Sequence, residues 1–234
     1  MGNALRELGR LEIAQASHQQ AVRLSPNSPE AYYNLGLVLR DLGQPDAALS
    51  CFDKALSLDE NHVDCQWDRA LTLLEMGRLK EGFEAYESRW NLARSPARTF
   101  DKPLWDGADL KGKSILIHHE QGFGDMIQFA RYLPMIKARG GQVVVEVQAE
   151  LARLMGSVEG VSKVFNRGQT PPNFDCYAPM MSLPHIFGTD RESIPADVPY
   201  VASIDPNAVQ LPPALGRIKR VGIAWAGRKT HRND

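Results

Sequence analysis

The stretch PEAYYNLGLVLRDLGQPDAALSCFDKALSLDENH, residues 29–62, decides the fold of the first part of the chain. Gly43 in this stretch has counterparts at the same spacing before and after it, at Gly9 and Gly77. The step of 34 residues also relates Leu5, Leu39 and Leu73; Ala14, Ala48 and Gly82; His18, Phe52 and Tyr86; and Ala21 and Ala55, with Arg89 as the odd member. Such a period indicates stacked units that bury their apolar faces against one another.

The residue types at this period resemble the tetratricopeptide repeat (TPR), whose unit is a pair of antiparallel helices. In the middle unit the matching positions are Tyr32, Leu35, Gly36, Leu39, Gly43, Ala48, Phe52 and Ala55. Small residues at Gly36 and Ala48 should let the two helices approach closely, and Gly43 should lie in the turn between them with a positive φ. Residues 1–92 are therefore predicted to form an α-solenoid of about two and a half repeats.

The two outer units depart from the pattern. Gly2 occupies the eighth position of its unit, so we expect that the chain was cut from something longer or that its start was misassigned. The third unit departs from the repeat pattern at Gln66, Arg69 and Gly82, which replace apolar or small residues. Its aromatic residues Phe83, Tyr86 and Trp90 predict a helix that packs on the next part of the chain.

Composition excludes several classes of function. The net charge of −1 provides no basic field for nucleic acid. Cys51, Cys65 and Cys176 are widely spaced, which argues against a disulfide framework or a zinc site and favours a reducing cytoplasm. No apolar run approaches the roughly 18 residues of a membrane span, so no span is predicted.

Residues 93–112 are predicted to be a linker, because Pro96, Pro103 and Gly107 interrupt the helical pattern and Trp105 offers one apolar anchor. Gly107 to Ser114 also fits the Walker A pattern. A phosphate-binding loop follows a strand and opens a helix, whereas this segment precedes a strand, which argues against ATP binding.

From Lys113 onward, strand and helix patterns alternate. Strands are predicted at 114–118, 142–148, 161–165, 174–178 and 219–225, and helices at 125–139, 149–156 and 182–187. This alternation predicts a parallel sheet covered on both faces, so residues 113–234 are interpreted as a Rossmann-like, doubly wound domain. In such sheets ligands bind at the carboxyl ends of the strands.

The segment His118-His-Glu-Gln-Gly-Phe-Gly-Asp125 lies at that predicted edge. It lacks the GxGxxG pattern of dinucleotide sites, and its carboxylates disfavour a pyrophosphate. Adjacent residues on a strand point to opposite faces, so the His-His-Glu run is a poor metal chelate and no metal site is predicted. Asp125 can cap the helix that comes after it, act as a general base, or do both.

The stretch Gln121 to Pro134, with its Gly-Asp, apolar helix and Leu-Pro, resembles the first loop and helix of the heptosyltransferases, which have the two-lobed GT-B fold. The resemblance implies that residues 113–234 are the N-terminal, acceptor-side lobe and that Asp125 is the catalytic base. It implies acceptor binding by His119, Glu120, Gln121, Gly122, Gly124 and Gln128, and donor binding by Gly227, Lys229 and Thr230.

Two hypotheses about function remain. In the first, the chain is part of a glycosyltransferase that moves a sugar from a nucleotide-sugar donor to an acceptor hydroxyl on a sugar or protein, needs no cofactor, and is inactive without a donor lobe. In the second, it is a non-catalytic TPR adaptor whose groove binds a peptide or protein. Neither involves nucleic acid.

Overall fold

A computed structural model describes residues 1–93 and 97–202, and its first part consists of antiparallel helix pairs. The helices are α1 (Gly2–Glu7), α2 (Leu11–Leu24), α3 (Pro29–Asp41), α4 (Pro45–Leu58), α5 (Val63–Glu75) and α6 (Leu79–Tyr86), followed by a 3-10 helix at Glu87–Asn91. The pairs α1–α2, α3–α4 and α5–α6 are the three units of the 34-residue period. The predicted repeat architecture is therefore confirmed.

Local chemistry fixes the ends of these helices. The Ser28 hydroxyl accepts a hydrogen bond from the Ala31 amide at 3.3 Å, and Pro29 opens α3 at a position where its missing N–H is not needed. The glycine of each inter-helix turn has a positive φ: 71° at Gly9, 70° at Gly43 and 72° at Gly77. The conformation predicted for Gly43 is thus confirmed and recurs in every unit.

The small residues of the period allow the helices of a pair to touch. A Cβ added to Gly36 would lie 2.5 Å from a ring carbon of the buried Phe52. The equivalent contact in the first unit joins Gly2 and His18, where the added atom would overlap the imidazole ring. In these two units the ring that the partner helix supplies therefore leaves no room for a side chain at this position.

A small parallel sheet forms the framework of the second part. Its strands are β1 (Ser114–His118), β2 (Gln142–Val147), β3 (Val161–Asn166) and β4 (Cys176–Pro179), and their order across the sheet is β3-β2-β1-β4. Ile117 of β1 pairs with Val145 of β2 and with Ala178 of β4. The predicted strand at 219–225 lies outside the described residues, as does the rest of the predicted lobe beyond residue 202.

Helices α7 (Phe123–Phe129), α8 (Leu133–Ala138), α9 (Ala152–Met155) and α10 (Leu183–Ile186) connect or follow the strands. The prediction of one continuous helix over 125–139 is wrong, because a 3-10 turn at Ala130–Tyr132 divides it. Pro134 explains the division, since its nitrogen cannot donate to the carbonyl one turn earlier.

The repeats and the sheet share one hydrophobic core. Ala70 and Tyr86 of the third unit are buried in the same cluster as Ile115 and Ile117 of β1. The ring centroids of Phe83 and Phe129 lie 6.2 Å apart across this junction. As predicted, the third unit ends the repeats by packing on the next part of the chain.

The linker follows the sheet instead of crossing solvent. Trp105 is buried, and its amide donates to the Tyr177 carbonyl at 2.8 Å. Phe100 packs edge-on against Tyr177 on the face of the sheet that also carries Leu116 and Val144. Trp105 is thus the apolar anchor that the sequence predicted.

Candidate functional site

The loop between β1 and α7 lies at the carboxyl edge of the sheet. All pairings in the sheet are parallel, so the segments after β1, β2 and β3 leave from this same edge. β1 ends at His118 and α7 begins at Phe123, which places the intervening loop where open α/β sheets bind ligands.

Asp125 is half-exposed in the first turn of α7. Its Oδ2 accepts a hydrogen bond from the Gly122 amide at 2.8 Å. The capping contact predicted for this residue is therefore present, and it fixes the direction of the carboxylate. The catalytic role implied by the resemblance remains a prediction.

Glu120 is turned inward, toward the repeats. Its Oε2 accepts from Arg89 Nε at 2.9 Å, and its Oε1 accepts from the Met181 amide at 2.9 Å. Burial raises the pKa of the Glu120 carboxyl, while the charge of Arg89 opposes the shift. The acceptor-binding role predicted for Glu120 would require this carboxylate to exchange partners that it already has.

Arg89 is the centre of a polar network at the junction of the two parts. Its side chain is 1% exposed, and its guanidinium also contacts Glu87 at 2.6 Å and the Ser182 hydroxyl at 2.6 Å. The guanidinium carbon lies 4.0 Å from the ring centroid of Trp90. Arg89 therefore joins the last turn of the repeats to the loop after β1.

The His119 side chain folds back onto the backbone of Gln121 in the same loop. The Nε2 atom of the buried His119 is 2.5 Å from the Gln121 carbonyl oxygen. The same oxygen accepts from Gln148 Nε2 at 3.0 Å, and the Gln121 side chain donates to the Tyr86 hydroxyl at 2.8 Å. The loop is thus attached both to the end of β2 and to the third repeat.

The other predicted acceptor residues lie on the outer side of the loop and of α7. Gly122, Gly124 and Gln128 are exposed, and the Gln128 carbonyl accepts from Arg131 Nε at 2.9 Å. Gly227, Lys229 and Thr230, the predicted donor residues, lie outside the described residues.

Sequence reasoning did not assign a role to Arg89 or to Gln148. The signal for Arg89 was available, because a large cation replaces alanine at a position of the 34-residue period. Gln148 had no comparable signal, since it stood at the end of a predicted strand with no pattern to distinguish it.

A second candidate site is formed by the first helix of each unit. Asp41 of α3 contacts Arg6 of α1 at 2.5 Å, and Arg40 of α3 contacts Asp68 of α5 at 2.7 Å. Tyr33 also donates to Asp68, at 2.8 Å. Since α3 contacts α1 on one side and α5 on the other, these three helices present one continuous surface.

We call this the A-helix surface and define it by Glu30, Tyr33, Asn34, Arg40 and Asp41 of α3, with their contacts on α1 and α5. The rings of Tyr33 and His62 lie 4.7 Å apart, and His62 Nε2 lies 3.1 Å from Glu30. The links between successive units hold the surface in one arrangement.

Within the residues the structure describes, no helix has the length and apolar character needed to cross a bilayer.

Comparisons with known proteins agree with this architecture. A family model described as "TPR repeat" matches residues 2–43, and one described as "Tetratricopeptide repeat" matches residues 29–62. The second match coincides with the stretch from which the fold was predicted. The chain therefore contains TPR repeats.

Protein FlbA of Caulobacter vibrioides is 45% identical to this chain over 82 residues, which cover 33% of this chain and 14% of FlbA. Among solved structures, MamA from Desulfovibrio magneticus RS-1 is 27% identical with a TM-score of 0.38, covering 40% of this chain and 52% of that one. The Yersinia enterocolitica translocator chaperone SycD is 21% identical with a TM-score of 0.38, covering 41% and 66%.

This chain thus spans a small part of FlbA and about half to two thirds of these solved chains. The repeats and the FlbA similarity support the protein-interaction hypothesis better than the glycosyltransferase hypothesis, which none of these comparisons supports.

Proposed function

We propose that this chain is a protein-interaction module whose A-helix surface binds an extended segment of a partner protein. The observation that carries the proposal is the set of contacts from Asp68 to Tyr33 and Arg40, which link the first helices of successive units. Stacked helical repeats commonly bind partners on the surface that successive units form together.

Preorganisation supports the proposal. A surface whose side chains are already held loses little conformational entropy when a partner binds. The Arg40–Asp68 pair is largely shielded, with side-chain exposures of 18% and 14%, so its geometry is less affected by solvent than that of a fully exposed pair. The neighbouring Asn34, which donates to Glu30 Oε1 at 3.0 Å, would contact the ligand together with Glu30.

Site-specific photo-crosslinking in cells tests this function. A photoreactive amino acid would replace the half-buried Asn34 on α3 or, as a matched control, the exposed Ser50 on α4. We expect a discrete adduct from position 34 only, and mass spectrometry would identify the partner segment.

A synthetic peptide of the identified segment then provides the quantitative test. It should bind the purified chain, and Asn34→Trp should weaken binding by about tenfold or more, as expected for a change at the centre of an interface. Ser50→Trp should leave binding unchanged. Equal adducts at positions 34 and 50, or equal affinities of the two tryptophan variants, would reject the proposal.

A second candidate function is sugar transfer, favoured by the half-exposed Asp125 carboxylate at the ligand edge of a parallel sheet. We propose here that residues 113–234 belong to a Rossmann-like, GT-B acceptor-side lobe in a cytoplasmic enzyme. Asp125 would remove the proton of the acceptor hydroxyl, beside His119, Gln121, Gly122, Gly124 and Gln128. Gly227, Lys229 and Thr230 would contact the donor.

Asp125→Asn in the natural full-length protein separates this role from helix capping. Asparagine retains an oxygen that can accept from the Gly122 amide, so circular dichroism should be unchanged. Sugar transfer should fall by roughly 10²- to 10⁴-fold if the carboxylate is the base. Unchanged turnover would reject the role.

A further inference from the structure

The first helix of every repeat ends in a carboxylate. Glu7 is the last residue of α1, Asp41 of α3 and Glu75 of α5, and the 34-residue period relates all three. A helix carries a partial negative charge at its carboxyl end, where a further negative charge is unfavourable. The stability of the individual helices therefore does not explain why a carboxylate recurs at this position.

Arg6 shows how such a carboxylate is used within the chain. It contacts Asp41 at 2.5 Å and so places a cation at the end of the first helix of the next unit. The corresponding arginine of α3, Arg40, contacts Asp68 instead, and α5 has no basic residue in its own last turn. Glu75 is exposed, and its side chain makes no ion pair or hydrogen bond with the part of the chain that the structure describes.

Every arginine of the first helices is already paired. Besides Arg6 and Arg40, only Arg69 occurs in α1, α3 and α5, and it contacts Asp53 of α4 at 2.6 Å. These three helices contain no lysine. The A-helix surface therefore has no cation from its own helices to balance Glu75.

Glu30, at the start of α3, is a second carboxylate without a cationic partner among the described residues. Its side chain is 66% exposed and contacts His62 and Asn34, neither of which carries a fixed positive charge. Glu30 and Glu75 thus leave unbalanced negative charge at opposite ends of the A-helix surface.

We propose that the partner segment is basic and places one lysine or arginine at Glu75 and another at Glu30. The basic character of the partner rests on the proposed function of the A-helix surface. A cation of the partner would meet Glu75 as Arg6 meets Asp41, and the partial negative charge at the end of α5 would attract it further. Charge complementarity of this kind selects partners and speeds their association.

The dimensions of the helices determine the spacing of the two cations. Glu30 and Asp41 are 11 positions apart on α3. At 1.5 Å per residue along the helix and about 8–10 Å between packed helices, Glu30 and Glu75 are roughly 19 Å apart. An extended segment rises about 3.3 Å per residue, so its two basic residues should be about six positions apart. Tyr33 and Asn34 would contact the residues between them.

Selection of a phage-displayed library of random 12-residue peptides on the purified chain tests the charge and the spacing. We expect the bound peptides to carry two lysines or arginines about six positions apart and to bind more weakly as the salt concentration rises.

The outcomes separate the basic partner from the proposed function. Bound peptides that lack the basic pair would overturn the inference, and if Asn34→Trp weakened their binding the proposed function would stand. Basic peptides that bind Asn34→Trp as well as the natural chain would occupy another surface, which would reject both. A selection that yields no binding peptide would also count against both.

Charge reversal at Glu75 tests the contact itself, and Glu84 offers a matched control, since it is exposed in the last turn of α6 in the same repeat. A selected basic peptide should bind Glu75→Lys about tenfold or more weakly, because two cations would then meet, and should bind Glu84→Lys as it binds the natural chain. Neither variant should unfold at a lower temperature, because a lysine is favourable at the carboxyl end of a helix.

Equal affinities of Glu75→Lys and Glu84→Lys for the peptide would overturn the inference. A lower unfolding temperature in Glu75→Lys alone would also overturn it, because Glu75 would then stabilise the fold instead of serving a partner.

Discussion

Ala55 in the middle repeat and Arg89 in the third repeat occupy the same position of the 34-residue period, yet they face different neighbours. Ala55 is fully buried in an apolar cluster with Cys65 and Leu73 of the next repeat. Arg89 is equally buried, but its neighbour is Glu120 of the loop after β1. The period determines which position is buried, and the neighbour determines the chemistry required there.

The same contrast appears at two other positions of the period. Gly36 lies against Phe52 in the middle repeat, and their equivalents in the third repeat are Ala70 and Tyr86. The phenolic hydroxyl of Tyr86 accepts from Gln121, a hydrogen bond that Phe52 has no group to make. Where the repeats end, the arginine and the tyrosine each add a hydrogen bond to the loop after β1.

Arg89→Ala should have the largest effect, although it restores the residue that the repeat pattern prefers. It leaves Glu120 buried without its cation, which typically costs about 3–5 kcal/mol. Urea unfolding followed by circular dichroism would measure the loss. A change below roughly 1 kcal/mol would show that the network contributes little and that the comparison with Ala55 is misleading.

The double variant Arg89→Ala/Glu120→Gln sharpens this test. Removing both charges should recover part of the stability, because the variant no longer contains an unpaired buried carboxylate. Ala55→Gly provides a matched control without any charge. If the double variant were as unstable as the sum of the single changes, Arg89 and Glu120 would not be coupled.

Lowering the pH should destabilise the α/β part through His118, a buried titratable residue that has no counterpart in the apolar cluster of the middle repeat. Burial lowers the pKa of His118 to about 4 from its usual value of 6.5. Between these values the unfolded chain binds a proton that the native chain does not, so stability falls as the pH decreases from 6.5 to 4. The loss is about 3 kcal/mol for this group.

His118→Phe isolates that contribution, since phenylalanine can pack beside Phe100 and Tyr177 without titrating. Urea unfolding of both chains at pH 6.5 and at pH 4 gives the difference. The raised pKa of Glu120 acts in the opposite direction, because its native carboxyl takes up a proton before the unfolded one. An identical pH dependence of the two chains would contradict the prediction.

The sequence predicted the repeats well because their residues depend on local, recurring geometry. A positive φ at Gly43 and a small residue at Gly36 result from contacts within one helix pair. β1 was also predicted at its observed bounds, since a short apolar run before a polar loop defines it. The division of the helix after Asp125 was missed, because the effect of Pro134 was outweighed by the apolar spacing.

The polar contacts could not be predicted, because they join residues that are distant in the sequence. Glu120 was predicted to bind the acceptor, whereas in the structure its carboxylate accepts a hydrogen bond from Arg89, which lies 31 positions earlier in the sequence. Nothing in the local sequence of Gln148 indicates that its amide meets the Gln121 carbonyl. Such pairs depend on how the third repeat and the strand ends come together, which no single pattern encodes.

Gly36→Ala should have an intermediate effect and directly tests the equivalence of the repeats. The added methyl would lie 2.5 Å from the buried Phe52 ring, so the pair must shift, at about 1–3 kcal/mol. Ala70→Gly, at the equivalent position, should instead lose about 1 kcal/mol through helix propensity. Thermal unfolding would measure both. A Gly36→Ala chain as stable as the natural one would contradict the close contact.

Tyr86→Phe should have the smallest effect, because it removes one neutral hydrogen bond and keeps the ring that packs on Trp67. We expect a loss of about 1 kcal/mol in urea unfolding. Tyr32→Phe is the matched control, since its hydroxyl has no hydrogen bond to the described residues.

Amide hydrogen exchange shows which part of the molecule the Tyr86 hydroxyl stabilises. Amides of the loop from Glu120 to Gly124 should exchange faster in Tyr86→Phe, while those of the middle repeat stay protected; faster exchange in the middle repeat alone would mean that the hydroxyl serves the repeats and not the loop.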